Sequence, residues 1–368
     1  MKKMITVVGA RPQFVKAAVV SRAIREVSSI HEQIVHTGQH YDHNMSDLFF
    51  DDLKVPKPKY NLGVGSGLQG KQTALMIDRL EEVFKKEKPA AILIYGDTNS
   101  TLAAAIAGSK LHIPIAHVEA GMRSFNKKMS EEVNRVVTDH LSHWLFCSSQ
   151  VSVKNLEREG LKHTKSQMPK VWNVGDVMID ALRFFDTWAM RHSSVLKKLK
   201  LKTKDYYLLT VHRAENTDNP KKLKIIIEAI NRFSNKGNTI IFPVHPRTFE
   251  KLKNIQYRKP SSHFHYIKPV SYFDMLQLEK YAKGIITDSG GIQKEAYFFG
   301  IPTVTLRDQT EWTETVECGL NELVPIESNK IQQACEKFSQ KNNKTYENHI
   351  YGDGRAAERI VKLLHRYL

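Results

Sequence analysis

Short runs of β-branched and apolar residues alternate along this chain with stretches whose apolar positions recur at helical spacing. MITVVGA (4–10) precedes a helical pattern over about 14–27, and EQIVHTG (32–38) precedes one over about 44–53. A helix near 72–87 leads into AAILIYGD (90–97), and a helix near 99–110 into PIAHVEAG (114–121). The style then repeats. KVWNVG (170–175), YYLLTVH (206–212), a helix near 220–235, NTIIFPVH (238–245), GIITDSGG (284–291) and IPTVTLRD (301–308) follow in order. Continuous apolar strands between helices predict parallel sheets covered on both faces. The fold class expected is α/β, with two Rossmann-like doubly wound domains. Their boundaries are expected at 1–175 and 176–352, with AMRHSSVLKKLKLKTK (189–204) as a polar connector and 353–368 as a closing helix.

In open parallel sheets, ligands sit beyond the carboxyl ends of the strands. The residues there carry most of the candidate chemistry: Arg11 and Lys16; His36, Gln39 and His40; Asp97; Glu119; His212, Arg213 and Glu215; His245 and Arg247; Ser289 to Gly291; and Arg307. In TDSGGIQKEAYFFG (287–300), Ser-Gly-Gly makes a turn and the helix is expected to open with Glu295. Exposed N–H groups at a helix start, with glycine allowing close approach, suit a phosphate. Glu295 suits the hydroxyls of a ribose instead. A capped strand-to-helix turn is the plainer alternative. GARPQFVK (9–16) lacks the glycine and hydroxyl of a P-loop. It still brings Arg11 and Lys16 to a helix start, where cations oppose the helix dipole and an anion would justify them.

Asp97, Glu119 and Glu131 bring three carboxylates to the same rim. Asp97 and Glu131 also read as helix-cap or first-turn acids. Glu119 follows an apolar strand and is expected to be semi-buried, which raises a carboxyl toward the range useful for acid–base work. His212, in TVHRAEN, can steady a departing diphosphate. The spacing of His36, His40 and His43 is a weak metal pattern without a supporting carboxylate–histidine helix, and no metal is expected. GSGLQG (65–70) matches a dinucleotide fingerprint in letters but follows a poor strand, and reads as a lid or linker.

Bulk composition narrows the class. The net charge of +16 admits nucleic acid, an anionic membrane surface or an anionic small substrate. The lysines are scattered and no nucleic-acid-binding signature accompanies them, so most of the charge reads as solvated surface. Three cysteines without a CxxC pair suit a reducing cytoplasm. No apolar run approaches the ~18 residues of a membrane span, and no signal peptide is read at the start.

GARPQFVK, GDTNSTLA, HVEAGMRSFN, SEEVNR, TVHRAEN, PVHPRT, DSGGIQKEA and LRDQTEW occur in that order, from Met4 to the final helix. With them the chain resembles the non-hydrolysing UDP-N-acetylglucosamine 2-epimerases. The resemblance implies a glycosyltransferase-B-like pair of domains with a cleft between them, the last helix returning to the first domain. It implies UDP held by Ser289, Gly290, Gly291 and Glu295 with help from Arg11, and chemistry on Asp97, Glu119, Glu131 and His212. Lys16, Arg213 and His245 support substrate binding. It further implies a homodimer, no cofactor, and supply of polysaccharide precursors.

Some letters depart from the common family form. GARPQF replaces GTRPE, RDQTEWTE replaces RxTTERPE, and Ser130 replaces a proline. These variants resemble the branch acting on UDP-2,3-diacetamido-2,3-dideoxyglucuronate. An effector site is implied at Gln39, His40 and Lys71, although Asp42 and Lys71 stand in place of a glutamine and an arginine. A hydrolysing epimerase and a sugar transferase of the same fold are the remaining alternatives.

Overall fold

A computed structural model describes residues 1–39, 56–162, 164, 168–255, 261–339 and 350–368, without the Arg11 side chain. Chain contacts divide it into two units, Met1–Phe184 with His349–Leu368, and Phe185–Asn348.

The first unit is built on a parallel sheet of order β3-β2-β1-β4-β5-β6-β7. Its strands are β1 (Lys2–Val8), β2 (Ile30–His36), β3 (Tyr60–Asn61), β4 (Ala91–Tyr95), β5 (Ile115–Ala120), β6 (Trp144–Cys147) and β7 (Lys170–Asn173). Every residue of β4 and β5 is buried, as two covered faces require. Between the strands run α1 (Arg11–Arg25), α2 (Gln69–Glu87), α3 (Asn99–Lys110), α4 (Ser130–Leu141) and α5 (Gln150–Arg158). Thr98 and Ser149 cap α3 and α5, accepting from the N–H groups of Thr101 and Ser152. The helix expected at 44–53 lies outside the described residues.

The second unit repeats the plan in a sheet of order β10-β9-β8-β11-β12-β13. Its strands are β8 (Tyr206–Thr210), β9 (Thr239–Pro243), β10 (Phe264–Ile267), β11 (Gly284–Thr287), β12 (Thr303–Thr305) and β13 (Asn321–Leu323). All its pairings are parallel. In both sheets the chain reverses direction beside the first strand, at β1/β4 and β8/β11, which makes those ends the places to look for ligands.

β7 closes the first sheet by pairing with β6, so KVWNVG lies in the first unit, inside the expected 1–175. By chain contacts the division falls after Phe184, inside α6 (Val177–His192), a helix that begins just past residue 175 and runs on into the second unit. The expected connector is largely helical, comprising the end of α6 and the short α7 (Val195–Lys198), whose Val195 packs into the second unit's core with Leu196 and Leu199 against it. The second unit continues through α8 (Ala214–Thr217), α9 (Pro220–Ser234), α10 (Pro246–Lys253), α11 (Tyr272–Lys280), α12 (Gly290–Phe298), α13 (Thr313–Glu317) and α14 (Ser328–Ser339). The chain ends in α15 (Ala356–Tyr367), part of the first unit, where Asp180 accepts from the N–H groups of Ala356 and Ala357.

Candidate active site

The turn after β1 is shaped by glycine and glutamine. A Cβ on Gly9 would overlap the Ser100 and Thr37 hydroxyls, which bond each other at 2.7 Å. Gln13 Oε1 accepts from the N–H groups of Gly9 and Ala10, and its Nε2 donates to the Tyr95 carbonyl at 2.8 Å. One side chain thereby ties the ends of β1 and β4. Arg11 opens α1, and Lys16, one turn further in, is buried. Lys16 forms an ion pair with Glu119, which is itself only 6% exposed.

Glu119 reaches that pair through an irregular backbone. β5 shifts register against β6 between Val118 and Ala120, leaving Glu119 as the extra residue of a bulge with φ of +75°. A left-handed glutamate costs about 1–3 kcal/mol, so its surroundings must enforce it. Its carboxylate lies against Gly96, where an added Cβ would stand 3.2 Å from Glu119 Oε2 and 3.5 Å from Lys16 Nζ. Gly96 also has a positive φ, 65°, and leads directly to Asp97.

α4 organises the neighbouring acids. Arg135 grips Asp97 Oδ2 through Nη2 at 2.6 Å and Nε at 3.0 Å, and Asn134 donates to the Asp97 carbonyl at 2.9 Å. Glu132 accepts from Ser124 N and Oγ, both 2.8 Å, and from Phe125 N at 3.0 Å. Burial pushes the Glu132 carboxyl up. The Ser124 and Phe125 hydrogen bonds and the Arg135 charge outweigh it and hold the group below the usual carboxylate range. Glu131, by contrast, is exposed, with Ser130 Oγ donating to it at 3.1 Å. Adjacent positions on one helix therefore differ in kind: 132 is tied down and 131 is open.

In the second unit the buried Asp288 shapes the rim. It accepts from His212 N at 3.1 Å, Arg213 N at 3.1 Å and Asn216 Nδ2 at 3.0 Å, joining the ends of β8 and β11. The His212 ring is half exposed, its Nδ1 3.7 Å from Asp288 Oδ1. The helix after β11 starts at Gly290, five residues before the expected Glu295, because Ser289 takes the extended N-cap conformation. No side chain caps this helix start, and Gly291 is exposed. Space beside Gly290 is tight, since an added Cβ would stand 3.2 Å from Glu311 Oε1 and 3.5 Å from Trp312 Nε1. Arg213 Nη2 lies 3.9 Å from the same point. Tyr272 donates to the buried Glu295 at 3.4 Å.

The remaining sequence candidates fall elsewhere on these rims. His245 caps α10, its Nδ1 accepting from Arg247 N at 3.3 Å. Gln39 Oε1 accepts from Ser100 N and Oγ at 3.0 and 2.7 Å. Lys71 is exposed in the first turn of α2. His40, His43 and Asp42 lie outside the described residues. His36 stacks on Phe14, and its Nδ1 accepts from Gly38 N at 2.7 Å. Sequence reasoning singled out neither Arg135 nor Asp288, although both stand inside motifs it quoted. Charge and strand-end position were the available signals.

Two doubly wound parallel sheets with ionisable groups at their switch points define an α/β enzyme of the glycosyltransferase-B-like type. The family model for UDP-N-acetylglucosamine 2-epimerase matches residues 22–365, and the chain belongs to that family. It is an isomerase. A UDP-N-acetylglucosamine 2-epimerase homolog of Methanococcus maripaludis is 48% identical, over 98% of this chain and 99% of its own length. The UDP-2,3-diacetamido-2,3-dideoxy-D-glucuronate 2-epimerase of Pseudomonas aeruginosa is 46% identical, with the same coverage. The crystal structure of the Methanocaldococcus jannaschii UDP-GlcNAc 2-epimerase, in complex with UDP-GlcNAc and UDP, superimposes with a TM-score of 0.89. It is 42% identical and covers 99% of each chain.

Proposed function

We propose that this enzyme interconverts UDP-N-acetylglucosamine and UDP-N-acetylmannosamine by eliminating and re-adding UDP. The observation that carries the reading is the buried Lys16–Glu119 pair against the Gly96–Asp97 turn, a carboxylate held dry and oriented. UDP is held by the second unit, with the diphosphate at the uncapped start of α12 (Ser289, Gly290, Gly291) and the ribose hydroxyls on Glu295. Arg11, Arg213 and His245 add cationic or polar contacts.

The chemistry follows from the acidity of C2. Its proton is not labile while C1 is neutral. When the C1–O bond breaks, UDP leaves with the electron pair and positive charge develops at C1. The C2 proton then passes to a carboxylate, and a C1=C2 double bond forms. Returning a proton to the opposite face of C2, with UDP re-adding at C1, gives the epimer. Asp97, Glu119 and Glu131 share the acid and base duties, and His212 steadies the departing diphosphate. Lys16 acts through Glu119 by keeping it paired and in place. Water must be kept out while the glycal exists. No redox cofactor enters this balance.

A second reading, the diacetamido uronate as substrate, is favoured by the 46% identity to the Pseudomonas enzyme. Proton NMR in heavy water decides between them. Incubation with UDP-N-acetylglucosamine is expected to give two UDP-sugars with deuterium at C2. Turnover of the diacetamido uronate alone would favour the second reading. Accumulating free UDP and free sugar would make the enzyme a hydrolysing one and overturn both. The working form we propose is a cytoplasmic homodimer supplying polysaccharide precursors, with Gln39, His40 and Lys71 as an effector site. Resemblance and the three scattered cysteines support this. No helix among the described residues is long and apolar enough to cross a membrane.

A further inference from the structure

The bulged Glu119 is flanked by residues that share one partner. Asp139, on α4, is fully buried. Its Oδ1 meets His117 Nδ1 at 2.7 Å, two residues before Glu119. Its Oδ2 accepts from Gly121 N at 3.0 Å, two residues after, and meets Arg123 Nη1 at 2.7 Å. Arg123 is fixed in turn by Glu159 through Nε and Nη2, at 2.6 and 2.7 Å. The other His117 nitrogen, Nε2, meets the Gly96 carbonyl at 2.8 Å. Both ring nitrogens thus face oxygen atoms, the Asp139 carboxylate on one side and the Gly96 carbonyl on the other. Burial pushes the Asp139 carboxyl up, but the His117 and Arg123 contacts outweigh it and hold the group below the usual carboxylate range.

We propose that Asp139 is a positioning residue for epimerisation. It clamps the strand on both sides of Glu119 and, through His117, sets the Gly96–Asp97 turn. Two candidate acid–base groups, one on β5 and one in the turn after β4, are thereby registered by one carboxylate that touches no substrate. The arrangement also explains why the bulge persists: the Gly121 N–H that the bulge turns inward is satisfied by Asp139 and not by the sheet. The inference rests on the proposed roles of Glu119 and Asp97.

The test is Asp139→Asn, compared with wild type on whichever UDP-sugar the wild type epimerises. Asparagine nearly keeps the shape, but replaces one carboxylate oxygen with an amide donor, so it cannot serve His117 Nδ1 and the Gly121 and Arg123 donors alike. We expect kcat to fall at least thirtyfold, with KM and UDP affinity changed less than threefold. We also expect a larger isotope effect with substrate deuterated at C2, because proton transfer becomes limiting. A folded variant, judged by circular dichroism and melting, with kcat within threefold of wild type would overturn the proposal. So would a loss confined to KM. If Asp139→Asn does not fold, His117→Gln is measured in its place. Its amide reaches the Gly96 carbonyl while the Asp139 bond is lost, and the same criteria apply. A wild type inactive on both sugars would instead overturn the epimerase reading, a separate outcome.

Discussion

Lys16 and Glu119 stand 103 positions apart and meet in a buried ion pair. Replacing the cation alone leaves an uncompensated buried carboxylate, the more costly way to break such a pair. Lys16→Met is therefore expected to lower kcat by about 10²-fold, the scale of one acid–base contribution. UDP affinity by calorimetry should stay within threefold. A tenfold or greater loss of UDP affinity with kcat retained would make Lys16 a diphosphate ligand instead. Each residue was legible singly: a lysine at a helix start, a glutamate after an apolar strand. Their pairing was not, because nothing in local spacing reports a contact between α1 and β5. The left-handed φ of Glu119 was also hidden, since sequence marks that conformation reliably only with glycine. His36 offers an independent check at this scale. Burial pushes its ring down to about 4. The unfolded chain, with an ordinary histidine near 6.5, then binds more protons between those values. Stability contributed by the neutral ring is present above pH 6.5 and lost as pH falls toward 4. The loss is about 3 kcal/mol at ~1.4 kcal/mol per pKa unit. His36→Asn keeps an acceptor for Gly38 N and does not titrate. Its stability relative to wild type, by urea unfolding at pH 7, 5.5 and 4, should rise by that amount on acidification.

α4 has two lives at the level of the element. On one side Glu132, Asn134, Arg135 and Asp139 are buried and bonded to the strand-end turns; Glu131 remains in water. Glu132→Ala removes the acceptor for the Ser124 and Phe125 donors and a partner of Arg135. The expected cost is on the order of 3 kcal/mol, because buried donors lose their acceptor. A melting temperature lowered by about 10 °C would match it for a unit of this size. A shift below 2 °C would mean the loop finds other partners. Resemblance singled out Glu131 in SEEVNR, but the inward-turned Glu132, Asn134 and Arg135 were not legible, because helical phase alone does not say which turn each position faces. Apolar alternation did reveal the long parallel strands, where both faces are covered. It missed β3, β6, β10 and β13, which are two to four residues long and sit at or near sheet edges, too short for a pattern. It likewise mistook the start of α12, because glycines at its first turn read as loop although their N–H groups open the helix.

For the whole molecule, the division into two units gives the proposed binding step a direct signature. If UDP is held by Ser289, Gly290, Gly291 and Glu295, its binding free energy stabilises the unit that carries them, Phe185–Asn348. At a concentration 100 times the dissociation constant the gain is about 2.7 kcal/mol. Amide hydrogen exchange with UDP should then slow most at 288–298 and at 210–217, where Asp288 already ties the two turns. The sheet of the first unit should change less. Glu295→Ala should abolish the protection at 288–298 and 210–217. Protection centred on 9–20 instead would move the diphosphate to the α1 turn. The Lys16–Glu119 pair would then have to open for binding, and the division of labour proposed between nucleotide unit and proton-transfer unit would fail. The same experiment bears on the +16 charge. A small anionic ligand protects a few turns and its effect saturates, whereas a polyanion gripping scattered surface lysines would protect broadly and lose its hold steeply with salt.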